Sequence, residues 1–522
     1  MPRLKPKVGW TARPWTTLRK VVQTLSLLVF LILFVAATRG DWPGLVTNLY
    51  LRIDPLAVLA NLLASRTFVK GMGLALVVVV LTLVVGRAWC GWICPFGTLL
   101  DLFSLSNWRG KRSSPPESWR RVKYWLFFTT IFAALFGNLT LLIFDPLTIL
   151  VRTFTISLWP VLDRLVTFTE AGLYRIPALR DSVSTFDRLV RPALLPQLPI
   201  DFRGQVLFGA IFIAIVLLNI FAERFWCRYL CPLGGLLGLL SKAAIIHRQV
   251  GSECKGCVIC TRSCPTGTIQ PDQGYSSDPG ECTMCLECLD DCPFDAIFFP
   301  ARLGLAKLQP YDPDRRQAIL SFGVAIAGVG LLRSGLVAGQ DNPYLIRPPG
   351  VSEDDLLSSC IRCGQCNRVC PTGGLQPSLT EAGIDGLWTP VLLPRLGYCD
   401  YSCNSCGQSC PVGAIPQLSL EEKRIRVIGH ACIDRDRCIA WAEEEECIVC
   451  EEMCPLPEKA IELETVEVFD ATGNLTTIKR PEVVIERCIG CGICEYKCPV
   501  VGEAAIRVRV TGGQRFRRRQ AW

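Results

Sequence analysis

Eight cysteine groups, each ending in Cys-Pro, hold nearly all of the 29 cysteines in this 522-residue chain. Two adjacent groups share one pattern: three cysteines separated by two residues each, then a fourth after three more. This is the bacterial spacing for cubane iron–sulfur clusters, in which the fourth cysteine of each run ligates the cluster of the other run. We therefore expect two [4Fe–4S] clusters, the first held by Cys254, Cys257, Cys260 and Cys292 and the second by Cys282, Cys285, Cys288 and Cys264.

Zinc is the alternative metal, because paired Cys-x-x-Cys motifs often bind it. Four cysteines in each run, repeated and ended by proline, favour iron–sulfur clusters instead. A disulfide framework would not need this spacing.

Four further groups lie in the C-terminal third and predict four more cubane clusters. By exchange of the last cysteine, we expect the two outer groups to pair with each other and the two inner groups likewise. Cys432 is left over as a spare thiol. The sixteen ligands are Cys360, Cys363, Cys366, Cys370, Cys399, Cys403, Cys406, Cys410, Cys438, Cys447, Cys450, Cys454, Cys488, Cys491, Cys494 and Cys498.

The composition excludes some functions. Only two histidines occur, His247 and His430, so a membrane cytochrome with paired axial histidines cannot be built from this chain. The net charge of +8 is modest and no basic–aromatic surface is evident, so we expect no nucleic-acid partner. Half of the residues are hydrophobic and 20% are charged, which favours a membrane segment.

Four apolar runs precede the first ferredoxin pattern: residues 21–37, 71–86, 124–144 and 206–222. A spanning helix needs roughly 20 apolar residues. One such run could be a buried helix, but four in succession favour a membrane. The basic N-terminus and the basic segment 109–123 lie on one side, which the positive-inside rule makes cytoplasmic. The predicted fold class is a multi-pass α-helical membrane domain plus α+β ferredoxin-like domains, one with two clusters and one with four.

The membrane half contains an internal repeat. Each copy consists of a span, an Asp-Pro-Leu, a second span and a Cys-x-x-x-Cys-Pro. A pseudo-two-fold axis along the membrane normal would relate the two copies. It would bring together four cysteines: Cys90, Cys94, Cys227 and Cys231. This quartet could hold a seventh cluster. The alternatives are structural thiols or a redox-active dithiol set.

The aspartates of the repeat, Asp54 and Asp145, each precede a proline. Asp is a good helix N-cap and Pro is favoured at the first helical position, so we expect both to begin helices. A role as proton acceptors for quinol is the alternative. The outer loop that follows, about residues 145–205, carries mixed charges and is expected to be a covered surface or a partner contact.

A paired arginine, Arg315-Arg316, precedes the apolar run 318–332 and resembles an internal twin-arginine export signal. A buried or interfacial helix is the alternative. With a simple docking helix over 318–339, both ferredoxin parts would stay in the cytoplasm. The predicted domains are 1–245 (four-helix membrane domain), 246–300 (two-cluster ferredoxin), 301–345 (linker with the apolar helix), 346–512 (four-cluster ferredoxin) and 513–522 (basic tail).

The doubled Cys-x-x-x-Cys-Pro followed by an eight-iron ferredoxin resembles the NapH/MauN membrane ferredoxins of the periplasmic nitrate reductase and methylamine dehydrogenase systems. The block Cys438-Ile-Ala-Trp441, with Cys447-Ile-Val-Cys450 and Met453-Cys454-Pro455, resembles the four-cluster NapG/MauM-type ferredoxin. The chain looks like a fusion of the two.

The resemblance implies a quinol dehydrogenase relay in the cytoplasmic membrane that feeds electrons to a periplasmic acceptor. Its expected cofactors are six [4Fe–4S] clusters, or seven with the quartet, with quinone as redox partner. Its expected partners are the membrane, the quinol pool and a redox enzyme or electron-carrier subunit. The first ferredoxin domain would be cytoplasmic and the C-terminal one extracytoplasmic. A redox sensor, or a maturation protein that supplies electrons for metal-centre assembly, is the alternative.

Overall fold

The structure is a computed structural model that describes residues 13–39, 42–103, 116–189, 191, 195, 200–301, 315–333, 342–469 and 475–510. Several predictions fall outside these residues. They concern the basic residues 1–12, residues 109–115 of the basic segment, the linker residues 302–314 and 334–341, and the basic tail.

Helices dominate the first half of the chain. In chain order they are α1 Pro14–Arg39, α2 Gly44–Thr47, α3 Leu49–Arg52, α4 Pro55–Ser65, α5 Ala75–Val85, α6 Pro95–Leu102, α7 Arg121–Leu135, α8 Pro146–Thr153, α9 Trp159–Leu173, α10 Arg180–Leu189, α11 Gln205–Leu217 and α12 Pro232–Ser241. Later helices are short apart from one: α13 Ile259–Ser263, α14 Glu287–Asp290, α15 Arg315–Arg333, α16 Glu353–Ser359, α17 Gln365–Arg368, α18 Ser405–Gln408, α19 Leu420–Arg424, α20 Val449–Glu452 and α21 Ile493–Lys497.

The strands form two-stranded antiparallel sheets, as expected for small ferredoxin units. They are β1 Gln249–Val250, β2 Ile269–Gln270, β3 Ser276–Ser277, β4 Ile297–Phe298, β5 Leu375–Pro377, β6 Pro390–Leu392, β7 His430–Ile433, β8 Ile461–Phe469, β9 Leu475–Val483 and β10 Ile506–Arg509. The pairs are β1–β4, β2–β3, β5–β6, β7–β10 and β8–β9. Strand β1 pairs Val250 with Ile297, and β7 pairs Cys432 with Arg507.

The chain divides into two compact units. Unit 1 comprises Met1–Leu150 and Ala210–Gly330, so it joins the first ferredoxin domain to the helices before it. Unit 2 comprises Val151–Gly209 and Leu331–Trp522, so the outer-loop segment belongs with the C-terminal domain. Within unit 2, Arg152 lies over the Trp388 ring at 4.2 Å and donates to the Arg362 carbonyl at 3.0 Å. The beginning of the segment is therefore covered, whereas its later helices expose apolar side chains such as Leu165 (57% exposed) and Phe168 (78% exposed).

All four apolar runs contain helices, but among the described residues only Pro14–Thr38 is long and apolar enough to cross a membrane. Glycines follow two of the others. Gly86 takes φ +74° after α5 and Gly137 takes φ +76° after α7, and such conformations end a helix readily only at glycine. The multi-pass membrane domain therefore stays a prediction.

The apolar segment after the paired arginine forms α15, which lies against α7. Phe322 makes an edge-to-face contact with Phe132 at 5.1 Å between ring centroids. Ala325 is 2% exposed, whereas Ile319 is 62% exposed. The helix is therefore half-covered rather than a buried core element. Its role in export stays a prediction.

Candidate metal centres

Each cluster pattern of the first ferredoxin domain lines its own cavity. Cage 1 is formed by Cys254, Cys257, Cys260 and Cys292. Cage 2 is formed by Cys282, Cys285, Cys288 and Cys264. The empty space in these cavities is about 360 and 330 Å³. The fourth cysteine of each run thus lies in the cavity of the other run, as the spacing predicts.

A left-handed residue bends each Cys-x-x-Cys loop so that its thiols converge. Val258 takes φ +57° before α13, and Leu286 takes φ +60° before α14, at equivalent positions of the two runs. In the C-terminal domain, glycines occupy this position: Gly364 with φ +78° and Gly492 with φ +83°. Glycine adopts this conformation without the steric cost that a side chain imposes.

The cysteines of the cages are not gathered around a single point. Among the described residues, no group of three or more His, Cys, Asp or Glu side chains is placed to hold a single metal ion. Four thiolates on one zinc, each at a Zn–S distance of about 2.3 Å, would lie much closer together. The cavities therefore fit an inorganic cluster better than zinc.

The C-terminal domain has the same architecture in four further cages. Cage 3 is formed by Cys360, Cys363, Cys366 and Cys410, cage 4 by Cys399, Cys403, Cys406 and Cys370, and cage 5 by Cys438, Cys447, Cys450 and Cys498. Cage 6 is formed by Cys488, Cys491 and Cys494 with Cys454, which lies within electrostatic range of Cys488 and Cys491.

The predicted pairing of outer with outer and inner with inner groups is wrong. The first group exchanges its last cysteine with the second, since Cys410 lies in cage 3 and Cys370 in cage 4. The third exchanges with the fourth, since Cys498 lies in cage 5. Neighbouring groups in sequence pair because a short connection brings two small loops together at lower entropic cost than a long one.

The four C-terminal cages follow one another in the order 3, 4, 6, 5. Cys366 of cage 3 lies within electrostatic range of Cys406 of cage 4. The amide of Cys399 in cage 4 donates to the carbonyl of Cys491 in cage 6 at 2.9 Å. Cys494 of cage 6 lies within range of Cys450 of cage 5. The four cages therefore lie next to one another in a single series.

Burial favours the protonated form of the cage thiols. Desolvation, together with the neighbouring Cys285, raises the pKa of the Cys282 thiol to about 12. Desolvation likewise raises the pKa of Cys491 to about 12. Because thiolates are the metal ligands, loading a cluster must release these protons.

The predicted quartet also converges within unit 1. Cys94 and Cys231 each lie within electrostatic range of both Cys90 and Cys227. A π-helical turn carries the first cysteine of each pair, Trp89–Ile93 in one copy and Trp226–Leu230 in the other. The second cysteine then occupies the N-cap of a helix that begins with proline.

Each copy of the repeat contributes an arginine that contacts the other copy. Arg224 of the second copy donates to the Cys90 carbonyl of the first at 2.9 Å. Arg87 of the first copy lies against Gly234 of the second: a Cβ added to Gly234 would be 2.9 Å from Nη2 of Arg87. Arg87 is 2% exposed and Arg224 is equally buried. This reciprocity is what a pseudo-two-fold axis between the copies would produce.

The two copies hold cage 2 from two sides. The Trp92 indole N–H donates to the Met284 carbonyl at 2.7 Å, and Gly91 lies so close to the Thr283 carbonyl that a Cβ would overlap it. From the second copy, the Arg228 guanidinium lies beside Gly267, within electrostatic range of Cys264. The quartet therefore neighbours cage 2 rather than cage 1.

A buried charge network fixes the same contact. Glu281 accepts from Lys123 Nζ at 2.6 Å and from the Tyr124 hydroxyl at 3.0 Å, and Arg87 Nη1 lies 3.7 Å away. Burial alone would raise the pKa of Glu281, but Lys123 and Arg87 lower it below its usual value. The carboxylate therefore stays charged at neutral pH. Sequence analysis missed these residues; the only signal was an acid next to a cluster cysteine.

Asp54 and Asp145 begin helices, as predicted. Asp54 Oδ1 accepts from the amides of Leu56 and Ala57, and Asp145 Oδ2 from those of Leu147 and Thr148. Neither residue is exposed, and Asp54 Oδ2 and Asp145 Oδ1 are buried without a hydrogen-bond partner among the described residues. The two carboxyl groups lie within electrostatic range of each other, a proximity that the sequence did not predict.

Cys432 lies on β7, within electrostatic range of Cys488 of cage 6. It lines none of the five described cage cavities. Its interpretation as a spare thiol stays a prediction.

Comparison with known proteins identifies the family. The methylamine utilization ferredoxin-type protein MauM of Methylorubrum extorquens is 36% identical to the chain over 215 residues, which cover 38% of this chain and 90% of MauM. The ferredoxin-type protein NapG of Haemophilus influenzae is 33% identical over 207 residues, 38% of this chain and 72% of NapG. The chain belongs to the MauM/NapG family of ferredoxin-type proteins.

Two domain models also match this MauM/NapG-type ferredoxin. A 4Fe-4S binding domain matches residues 69–116 and 205–252, which contain the four quartet cysteines. A 4Fe-4S dicluster domain matches residues 445–501, which agrees with pairing of the third and fourth C-terminal groups. The protein is therefore an iron–sulfur electron-transfer protein that binds [4Fe–4S] clusters. No solved structure is significantly similar to it.

Proposed function

We propose that the protein is a membrane-bound relay that takes electrons from quinol and passes them through [4Fe–4S] clusters to an extracytoplasmic acceptor. Six clusters would occupy the six cages, and a seventh would occupy the quartet. The clusters supply one-electron transfer, and the protein sets their potentials through hydrogen bonds, burial and charge.

The observation that carries the proposal is the contact between the quartet and cage 2. The Arg224 guanidinium lies within electrostatic range of both Cys227 of the quartet and Cys285 of cage 2. A metal centre at the quartet would thus have a cluster beside it. A sensor or assembly protein would not need this close packing of one cage against the doubled motif.

Exposed apolar side chains support the membrane location. On α1, Leu25 is 55% and Ile32 58% exposed; on α5, Leu76 is 64% and Val77 62% exposed. Soluble proteins rarely expose contiguous apolar surfaces of this kind. We propose that these faces contact lipid and that the shorter helices complete a multi-pass domain of the NapH/MauN type.

The proposed topology places the two ferredoxin domains on opposite sides of the membrane. The first domain contacts the N-terminal end of α1, where Arg13 pairs with Asp291 at 2.6 Å, and the positive-inside rule makes that end cytoplasmic. The C-terminal domain holds the outer-loop segment, since Arg152 lies within electrostatic range of Cys363 in cage 3. Cage 3 would then receive electrons and cage 5 would deliver them.

The hydrocarbon core is roughly 30 Å thick, so the two domains cannot exchange electrons in one hop. A quinone, or a subunit outside this chain, has to connect them. The carboxyl groups of Asp54 and Asp145 would be candidate proton acceptors for quinol oxidation near the quartet, since Asp145 lies within electrostatic range of Cys231.

Iron and acid-labile sulfide per chain test the cluster count. We expect seven cubanes in the anaerobically purified protein and six after Cys90→Ser with Cys227→Ser. Cys432→Ser is the matched control, because it removes a thiol outside the cages and should leave the count unchanged. An unaltered count in the double variant would leave the quartet as plain thiols, and a zinc-loaded, colourless protein would overturn the whole proposal.

Reduction by quinol separates the relay from the alternatives. In isolated membranes, menaquinol should reduce the clusters in repeated turnovers once an electron acceptor is supplied. A sensor, or an assembly protein that draws electrons from elsewhere, would show no such turnover. Fusions after residue 345 test the topology: alkaline phosphatase activity supports export, whereas green fluorescence without phosphatase activity contradicts it.

A further inference from the structure

Arg248 lies between cage 1 and cage 2 of the first ferredoxin domain. It directly precedes β1, is 7% exposed, and lines both cage cavities. Cys260 of cage 1 and Cys282 of cage 2 both lie within its electrostatic range. One buried cation therefore faces both clusters of the domain.

The protein uses only part of the guanidinium's hydrogen-bonding capacity. Nη1 donates to the Tyr275 carbonyl at 2.6 Å. Nε and Nη2 are buried and have no hydrogen-bond partner among the described residues. The Cys288 thiol of cage 2 lies within electrostatic range of the side chain. The two remaining donors are thus available to sulfur atoms in the cages that Arg248 lines.

Arg362, a buried arginine of the C-terminal domain, uses its hydrogen-bond donors differently from Arg248. It is 1% exposed and lies beside Cys360 of cage 3. However, its donors go to backbone carbonyls: Nε to Leu387 at 3.1 Å, Nη1 to Cys360 at 2.9 Å and Nη2 to Asp385 at 2.7 Å. Arg362 therefore holds its loop, whereas Arg248 keeps donors for the cages.

We infer that Arg248 is a positioning residue for electron transfer that donates hydrogen bonds to the sulfur ligands of both clusters in the first ferredoxin domain and raises both reduction potentials. This inference rests on the proposed function, since it requires clusters in cages 1 and 2.

The physical argument is electrostatic. Reduction adds one negative charge to a cluster that is already anionic. A buried guanidinium stabilises that added charge, and hydrogen bonds to the sulfurs do the same. Because the cation lies between the cages, it favours reduction of both, which keeps the two clusters at similar potentials for electron exchange.

The test is a potentiometric titration of the full chain, followed by paramagnetic resonance. In R248Q, the equilibrium constant for reduction should fall about tenfold for two clusters, a shift of about 59 mV for one electron. The other clusters should titrate as in the wild type. R262Q is the matched control: Arg262 lies in the same domain but is exposed, so its loss should shift no cluster appreciably. Unchanged potentials in R248Q, an equal shift in R262Q, or a shift of every cluster would overturn the inference.

A second measurement avoids dependence on the stability of R248Q. Wild-type protein carrying ¹⁵N-arginine should show a ¹⁵N hyperfine coupling in pulsed paramagnetic resonance of the first-domain clusters, and R248K should lose it. Absence of this coupling in the wild type, at full iron content, refutes the role of Arg248. Iron-free wild-type protein would instead refute the proposed function.

Discussion

The two copies of the repeated motif, residues 87–97 and 224–234, are alike where they face each other and differ where they face the ferredoxin domain. In both, a glycine after the Cys-Pro packs on the carbonyl of the first cysteine: a Cβ on Gly97 would lie 3.1 Å from Cys90 O, and one on Gly234 would lie 3.2 Å from Cys227 O. The position after the first cysteine differs, being Gly91 in one copy and Arg228 in the other.

This difference follows from the geometry of the contact. Two related copies can enclose one quartet symmetrically, but a single ferredoxin domain has no such symmetry. It must meet each copy with a different surface. Gly91 allows a close approach of two backbones, whereas Arg228 spans a wider gap with a long side chain and lies over the Tyr229 ring. The arginines that face the quartet also have different acidic partners, Glu281 for Arg87 and Asp101 for Arg224.

The largest loss of stability should come from removing Glu281, the acidic partner of Arg87 in the first copy. Glu281→Gln leaves Lys123, which is not exposed, without a counter-charge, and also weakens the site of Arg87. Breaking a buried ion pair by removing one partner typically costs about 3–5 kcal/mol. We expect a marked drop in the temperature at which the protein loses its iron–sulfur absorbance.

Asp101→Asn is the matched change in the second copy. The Asp101 side chain is 29% exposed, and Arg224 keeps its bond to the Cys90 carbonyl, so the expected cost is smaller, about 1–3 kcal/mol. Glu253→Gln, at an exposed acid of the same domain, should have no effect. If Asp101→Asn proved as costly as Glu281→Gln, the two copies would be equivalent and the comparison would be wrong.

The next largest loss of stability should come from a substitution at Gly91, the position at which the two copies differ most. Gly91→Ala places a methyl group on the Thr283 carbonyl, so the backbone of the cage 2 loop must move. Overpacking of this kind costs about 1–3 kcal/mol. We expect lower thermal stability and an altered paramagnetic signal from the cage 2 cluster, with the C-terminal clusters unaffected.

Arg228→Ala removes contacts instead of adding a clash. It should lower stability less than Gly91→Ala, since it leaves the backbone where it is. It should also lower the reduction potential of the cage 2 cluster, because the guanidinium faces Cys264. A larger loss of stability in Arg228→Ala than in Gly91→Ala would show that the long side chain, and not the close backbone approach, holds the domain.

The contrast also shows what the sequence could predict. Spacing identified the cluster ligands, and repetition predicted that Cys90, Cys94, Cys227 and Cys231 converge, because both signals are local or periodic. The pairing of the C-terminal groups was not predictable, since exchange of the fourth cysteine is compatible with several partners. Glu281 and Arg248 gave no signal because their roles depend on contacts between distant segments.

The helix lengths, and the compact unit that includes residues on both sides of the predicted boundary at 245, could not be predicted from the sequence for the same reason. Hydropathy identifies apolar runs, but Gly86 and Gly137 end the helices by local backbone conformation. The boundary follows composition, whereas the two compact units follow packing: Lys123 and Arg87 join the helices to the ferredoxin domain through one carboxylate.

The smallest difference in stability should be between substitutions at Trp92 and at Tyr229, which are equivalent residues of the two copies. The Trp92 N–H donates to the Met284 carbonyl at 2.7 Å, whereas the Tyr229 hydroxyl is buried without a hydrogen-bond partner among the described residues. Trp92→Phe should therefore cost about 1 kcal/mol, the net value of one hydrogen bond.

Tyr229→Phe removes a hydroxyl that gains nothing from its burial, so it should be neutral or slightly stabilising. Thermal melts of the two variants beside the wild type, at equal iron content, decide the point. Equal losses of thermal stability in both variants would mean that the Trp92 indole and the Tyr229 phenol ring contribute by packing alone. The asymmetry between the copies would then reside in Gly91, Arg228 and the charge network around Glu281.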